Sequence, residues 1–188
     1  MTWAAYGDES MRVDPAGSRY ILAAACMDLT SCAEVRLSMT GLAKSGQRFH
    51  WRQSSIEAQR KAVAVIAALS SLHIVVVGTP ANPRKQERAR RQSLGRLLVE
   101  LDRAGVSELW LESRTQSLND RDYKSVNVFS AQKLIGTQPR VGHARPLEEP
   151  LLWVADIVAG AVNSGLGGDE TLLAPLVGMI ERHDIDLR

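Results

Sequence analysis

The sequence predicts an α/β protein whose sheet opens with an antiparallel hairpin. Short apolar runs alternate along the chain with longer stretches of helical periodicity. The first two runs, Trp3–Ser10 and Tyr20–Met27, are separated by a link short enough for a hairpin. A third run, Leu72-His73-Ile74-Val75-Val76-Val77, is nearly all β-branched or aliphatic, the pattern of a strand buried on both faces.

The elements follow in order. The stretch Trp3-Ala4-Ala5-Tyr6-Gly7-Asp8-Glu9-Ser10 reads as a strand ending in two carboxylates and a hydroxyl. Side chains alternate along a strand, so Asp8 and Ser10 share one face and Glu9 takes the other. The loop Met11–Ser18 has Asp14-Pro15-Ala16-Gly17 as its turn signal. Ser31 and Glu34 have capping-box spacing and open a helix carrying Val35, Leu37, Met39 and Leu42, ended by Lys44-Ser45-Gly46. Phe49-His50-Trp51 is a short aromatic piece. Ser54 and Glu57 form a second capping-box pair, before a helix carrying Ile56, Val63, Ile66 and Leu69.

Asn82-Pro83 is a cap followed by proline at the first helical position. The helix places Leu94, Leu97, Leu98 and Leu101 on one stripe and has Gly105 just past its end. Its first half is basic: Arg84, Lys85, Arg88, Arg90, Arg91 and then Arg96. Such a run is a solvated face or a phosphate-facing patch. Leu109-Trp110-Leu111 is strand-like and runs into Glu112-Ser113-Arg114. Asn119-Asp120 caps a helix to about Ile135 that carries Tyr123, Val126 and Leu134, and Arg140–Arg145 is a short strand. Pro150 opens a helix through Val162 that is apolar all round, with Asp156 as its one charge. After the break at Gly165–Gly168, Asp169 caps a last helix, about 169–182, with Leu172, Leu173, Leu176, Val177 and Ile180 on its core face.

The chain of 188 residues fits one domain with a real core. Its 45% hydrophobic and 23% charged residues are ordinary for a globular protein, and a net charge of +2 does not by itself point to nucleic acid. The two cysteines, Cys26 and Cys32, have no metal or redox spacing and read as reduced thiols. The start lacks a basic stretch followed by an apolar run, and Leu151–Val162 is too short to span a bilayer. The expectation is a cytoplasmic protein with no membrane partner.

A lone carboxylate within an apolar helix has poor helix propensity and faces desolvation unless it reaches a cation, a metal or water. Asp156 then joins Asp8 and Glu112 as three acids on two strand ends and one buried helix. Functional groups in α/β sheets gather at the carboxyl ends of strands. Hard divalent cations take oxygen ligands, and a carboxylate-held pair of Mg²⁺ ions activates water and stabilises the leaving oxygen in phosphoryl transfer. The alternative is that each acid separately caps, pairs with an arginine or faces solvent.

Gly7-Asp8-Glu9-Ser10, Phe49-His50-Trp51, Trp110-Leu111-Glu112 and Pro150-Leu151-Leu152-Trp153-Val154-Ala155-Asp156 together resemble the DUF3800 family, which is similar to ribonuclease H-like nucleases. The resemblance spans about Trp3 to Val162. It implies a ribonuclease H-like mixed sheet, antiparallel in its first strands and parallel afterwards, with a helical insertion over about 29–71. It also implies that Asp8, Glu112 and Asp156 are catalytic acids holding Mg²⁺ or Mn²⁺. Met11 stands where the family usually has glycine, and Glu112 where Asp is common.

The expectation is a divalent-metal-dependent nuclease acting on DNA or RNA, with Arg84, Lys85, Arg88 and Arg91 on the phosphate-gripping face. Glu9, Ser10, His50, Arg114 and Asp120 are secondary candidates. Glu9 is a supporting group or an arginine partner, and Ser10 a hydrogen-bonding group that orients Asp8. His50 is a packed residue or proton carrier, Arg114 touches phosphate or neutralises the acids, and Asp120 is a site residue or a helix cap. A binding module of the same fold without the chemistry is the alternative, as is a small-molecule phosphate hydrolase. A homodimer or larger assembly is left open.

Overall fold

In a computed structural model the described residues are 2–13, 17–44 and 46–188. The expected turn at Asp14-Pro15-Ala16-Gly17 and the helix stop at Lys44-Ser45-Gly46 therefore lie partly outside the described residues. A mixed sheet organises the chain, built from β1 (Trp3–Arg12), β2 (Arg19–Asp28), β3 (Leu72–Thr79), β4 (Val106–Glu112), β5 (Arg140–Ala144) and β6 (Ile180–Asp186). The strand order is β5-β4-β1-β2-β3-β6. β2 pairs antiparallel with β1 and β3, while β4, β5 and β6 pair parallel with β1, β4 and β3. Antiparallel first strands followed by parallel ones is the expected arrangement.

Residue alternation sorts the sheet into two cores. On one face Tyr6, Ile21, Ala23, Val75 and Val77 pack against α1 (Cys32–Thr40), α2 (Ile56–Ala67) and α5 (Leu152–Leu166). On the other, Ala5, Leu22, Ile74, Val76, Leu109 and Leu111 meet α3 (Gln86–Arg103) and, through Phe129, α4 (Gln116–Ala131). β2, central in the sheet, is buried from Tyr20 to Met27. The expected stripe Leu94, Leu97, Leu98 and Leu101 is fully inside. Burying one such side chain is worth about 1.5–3 kcal/mol.

Several expected boundaries are corrected. Ser31 makes no capping bond, because its hydroxyl donates to the Asp28 carbonyl; Leu37 of that helix faces solvent. The cap of α2 is Ser55, which accepts from the Ala58 amide, while Ser54 donates to the His50 carbonyl. Asn82 does cap, accepting from the Arg84 amide over a 3-10 turn, Pro83–Lys85, that leads into α3. Asn119 and Asp120 do not cap α4, which starts at Gln116. Asn119 instead closes the preceding turn by accepting from the Arg114 amide. The last helix expected over 169–182 is absent. A 3-10 turn, Ala174–Met179, leads to β6, so the sheet gains a sixth strand. Among the described residues no helix is long and apolar enough to cross a membrane.

Candidate active site

The parallel register of β1 and β4 ends at Gly7 opposite Leu111, so the next residues, Asp8 and Glu112, stand where that pairing stops. Gly7 permits the approach: a Cβ there would come 2.9 Å from the Leu111 side chain and 3.3 Å from the Ala23 carbonyl. Leu111 points into the α3 core, so alternation turns Glu112 to the face of Asp8. α5 lies across that same face, and its one carboxylate, Asp156, lines the same cleft.

The cleft has a volume of about 400 Å³ and gathers the acids Asp8, Glu9, Glu112 and Asp156 with Arg48, Arg52, Arg90, Arg114, His50 and Gln86. Burial raises the Asp8 carboxyl well above the usual carboxylate range, and the negative charges of Glu112 and Asp156 raise it further; Arg90 and Arg48 only partly offset this. Asp8 is the acid that the surroundings leave under-compensated. Asp156 accepts a 2.8 Å bond from the Trp51 amide and lies 3.2 Å from His50 Nδ1. Glu112 pairs with Arg48 at 2.8 Å, an arginine that is 37% exposed. Trp51 is fixed by the absence of a side chain on α5: a Cβ at Gly160 would run into its indole ring.

The inserted segment between β2 and β3 therefore supplies a wall of the site, with Arg48, His50, Trp51 and Arg52 all at the cleft. His50, a secondary candidate, lies here. Ser10 is at the rim but does not orient Asp8; its hydroxyl accepts from Asn163 at 3.0 Å. Glu9 points to the opposite face. It accepts from the Tyr20 hydroxyl at 2.7 Å and pairs with Arg90, in agreement with an arginine partner. Arg114 does not neutralise the three acids; it pairs with Glu87 at 2.6 Å and with Asp122 at 3.1 Å. Asp120 is on the exposed side of α4, bonded to Gln116, and is no part of the site.

Asp122 was not among the expected residues, and it is the hub beneath the cleft. It is 4% exposed and receives Arg90, Arg114 and His143. Burial opposes its ionisation, but the hydrogen bonds from His143 and Arg90 and the two guanidinium charges outweigh it and hold its carboxyl well below the usual range. Its sequence context is a polar helix face with nothing to mark a buried acid. Arg48 and Arg52 had a signal, since they bracket Phe49-His50-Trp51 in a basic–aromatic run.

The basic face is smaller than its sequence suggests. Arg84, Lys85, Arg88 and Arg91 are exposed. Arg90 is buried at 3% exposure, and Arg96 pairs with Glu100 at 2.6 Å. Arg88 donates to the Arg188 carbonyl and Arg91 lies over the Phe129 ring, in grooves beside α4 rather than in the acid cleft.

Among the described residues, Glu100, Glu181 and His183 bring their ligand atoms within 4.8 Å of one another; the cleft acids are not so tightly gathered. That second cluster is internally neutralised. Arg96 and Arg103 contact Glu100, Arg96 donates to His183 Nδ1 at 2.8 Å, and His183 Nε2 faces Glu181 at 2.9 Å. In the cleft, by contrast, the donor set is three carboxylates, one of them held in a form that resists ionisation. Those are oxygen donors of the kind a hard divalent cation takes.

No protein-family model matches this sequence, and no curated protein matches it. Among solved structures, a chain of the structure of the PCNA:RNase HII complex from Archaeoglobus fulgidus is similar at 13% identity, covering 88% of this chain and 77% of that chain with a TM-score of 0.47.

Proposed function

We propose that this chain is a divalent-metal-dependent phosphodiesterase acting on nucleic acid, with Asp8, Glu112 and Asp156 as its metal-holding acids and Mg²⁺ or Mn²⁺ as the ion. The resemblance of its motifs to the DUF3800 family belongs to the same proposal. The observation that carries it is the placement of Asp8, buried and facing the charges of Glu112 and Asp156 in one cleft that Arg48, Arg52, Arg90 and Arg114 also line. A bound cation would supply the positive charge that lets all three ionise, and would polarise a phosphodiester for attack by water.

The remaining groups have assignable work. The Trp51 amide and His50 hold the Asp156 carboxyl in one orientation. Arg90, buried between Glu9 and Asp122, is committed to the protein and anchors the cleft floor. Arg48 and Arg52 are exposed at the rim and are the cations within the cleft that can turn to a phosphate. Arg84, Lys85, Arg88 and Arg91 would hold the backbone of a longer strand.

A binding module without catalysis is favoured by one specific contact, the Glu112–Arg48 pair, which occupies one of the three acids. Cleavage assays on labelled DNA and RNA separate the readings. The nuclease reading expects cleavage that needs Mg²⁺ or Mn²⁺, stops in EDTA and falls by at least about 100-fold in Asp8→Asn, since loss of several kcal/mol of charge stabilisation is at stake. Activity surviving both chelation and the substitution would contradict it. Oligonucleotide binding without any cleavage would support the module.

A further inference from the structure

On the sheet face opposite α5, a hollow of about 310 Å³ opens between α3 and α4. Arg88 and Arg91 of α3, Arg121 and Lys124 of α4, and the acids Glu87 and Asp122 line it. Arg88 and Arg91 are three residues apart, as are Arg121 and Lys124, so each pair shares one helix face. The acids of the hollow do not neutralise these cations. Glu87 is taken by Arg114 at 2.6 Å, and Asp122 by Arg90, Arg114 and His143. Arg88 donates to the Arg188 carbonyl and Arg91 lies over the Phe129 ring. Arg121 and Lys124 have no ion-pair partner among the described residues. Like charges gathered in one concave space repel one another, and an anion relieves them.

A second hollow, of about 530 Å³, continues from the first and shares Arg88 and Arg91 with it. Its character is different, for Phe129, Leu134 and Ile185 line it together with Gly95. A Cβ at Gly95 would come 3.0 Å from the Phe129 ring, so the ring sits against the backbone of α3. Leu134 is 54% exposed, an apolar side chain left uncovered at this wall. The charged groups particular to this hollow are paired, Asp186 with Arg188 and Arg96 with Glu100. Arg91 stands at the junction, and a guanidinium stacks on flat rings as readily as it binds phosphate.

We propose that the two hollows together bind a nucleoside triphosphate, its phosphates on Arg88, Arg91, Arg121 and Lys124 and its base over Phe129 and Leu134. A concave gathering of cations suits a compact polyanion, whereas a strand presents its phosphates in an extended row. The apolar end suits a ligand with a flat ring, which inorganic polyphosphate lacks. These hollows share no lining residue with the acid cleft, so the inference does not rest on the nuclease reading. Where both hold, Arg88 and Arg91 serve a strand and the nucleotide in turn, and the two compete.

The test is isothermal titration with ATP and, separately, with inorganic tripolyphosphate, in EDTA so that no metal draws phosphates to the acid cleft. Wild type is expected to bind ATP with a Kd below about 1 mM, and tripolyphosphate about five- to tenfold more weakly because it buries no ring. The double variant Arg121→Ala/Lys124→Ala, at two exposed positions, weakens ATP by about tenfold or more. Arg60→Ala/Lys61→Ala removes the same charge from exposed positions of α2, on the other side of the sheet, and leaves ATP binding unchanged. Leu134→Ser brings ATP down towards the tripolyphosphate affinity. No uptake of ATP at millimolar concentration overturns the proposal, as do equal affinities for ATP and tripolyphosphate or an equal loss in the α2 variant. So does an Arg121→Ala/Lys124→Ala protein that keeps ATP but loses a single-stranded DNA oligonucleotide, which would give the hollow to the strand.

Discussion

At the scale of single residues, ionised Asp8 has two neighbouring carboxylates and little water. Its folded-state pKa lies above its unfolded one because of burial first, then Glu112 and Asp156. The proton-bound form is therefore favoured by folding. That contribution to stability is fully present below the unfolded pKa and is lost as pH rises through the raised folded pKa. At neutral pH in EDTA, Asp8→Asn should therefore be more stable than wild type. Each kcal/mol recovered raises Tm by about 2–4 °C at this size, read by thermal melts. A melt unchanged or lower would mean that Asp8 is not under electrostatic load. The three acids were legible in the sequence because each is an anomaly where it stands, above all Asp156 among apolar neighbours. Asp122 was not, since a buried acid on a polar helix is defined only by Arg90, Arg114 and His143, which come from three other parts of the chain.

At the scale of elements, the inserted stretch between β2 and β3 turns from an appendage into part of the site. Arg48 there pairs with Glu112 and, on the proposed reading, would compete with a metal for it. Its pairing is exposed, worth about 0.2–1 kcal/mol, so Arg48→Ala should tighten Mn²⁺ binding by about 1.4- to fivefold in a calorimetric titration. Weaker binding would show that Arg48 supports the site rather than competing for it. The strongest sequence signals gave the elements that stand closest to expectation: the leucine stripe of α3, the β-branched run of β3 and the apolar α5. The C-terminal stretch misled for a physical reason. Leu172, Leu173, Leu176, Val177 and Ile180 fit a helical period, yet Leu172 and Leu176 fill the core from turns and Val177 is 60% exposed. β6 is an edge strand whose Glu181, Arg182, Asp184 and Asp186 keep it soluble and hide its strand character.

At the scale of the whole molecule, the sheet separates two cores, and the cleft opens where β1 and β4 part beneath α5. The fold class was readable because alternation of short apolar runs with amphipathic helices permits few arrangements. Convergence of side chains from β1, the insertion, α3, β4 and α5 was not, because it depends on register and crossing rather than on local pattern. Stability of the whole should also fall in acid through His73, which is completely buried in β3. Burial pushes its imidazole from 6.5 down to about 4. A base depressed in the folded state contributes stability above its unfolded pKa and loses it as pH falls from about 6.5 towards 4. The loss approaches about 3 kcal/mol at 1.36 kcal/mol per pH unit. Urea midpoints across that range should drop in wild type and stay flatter in His73→Leu.

The most direct measurement is a calorimetric titration of wild type and Asp8→Asn with Mn²⁺ at neutral pH. Saturable binding in the low-millimolar range or tighter, lost in Asp8→Asn, is what a carboxylate-held ion requires. Wild type that takes up no Mn²⁺ at those concentrations, or a variant that binds it equally well, would contradict the account.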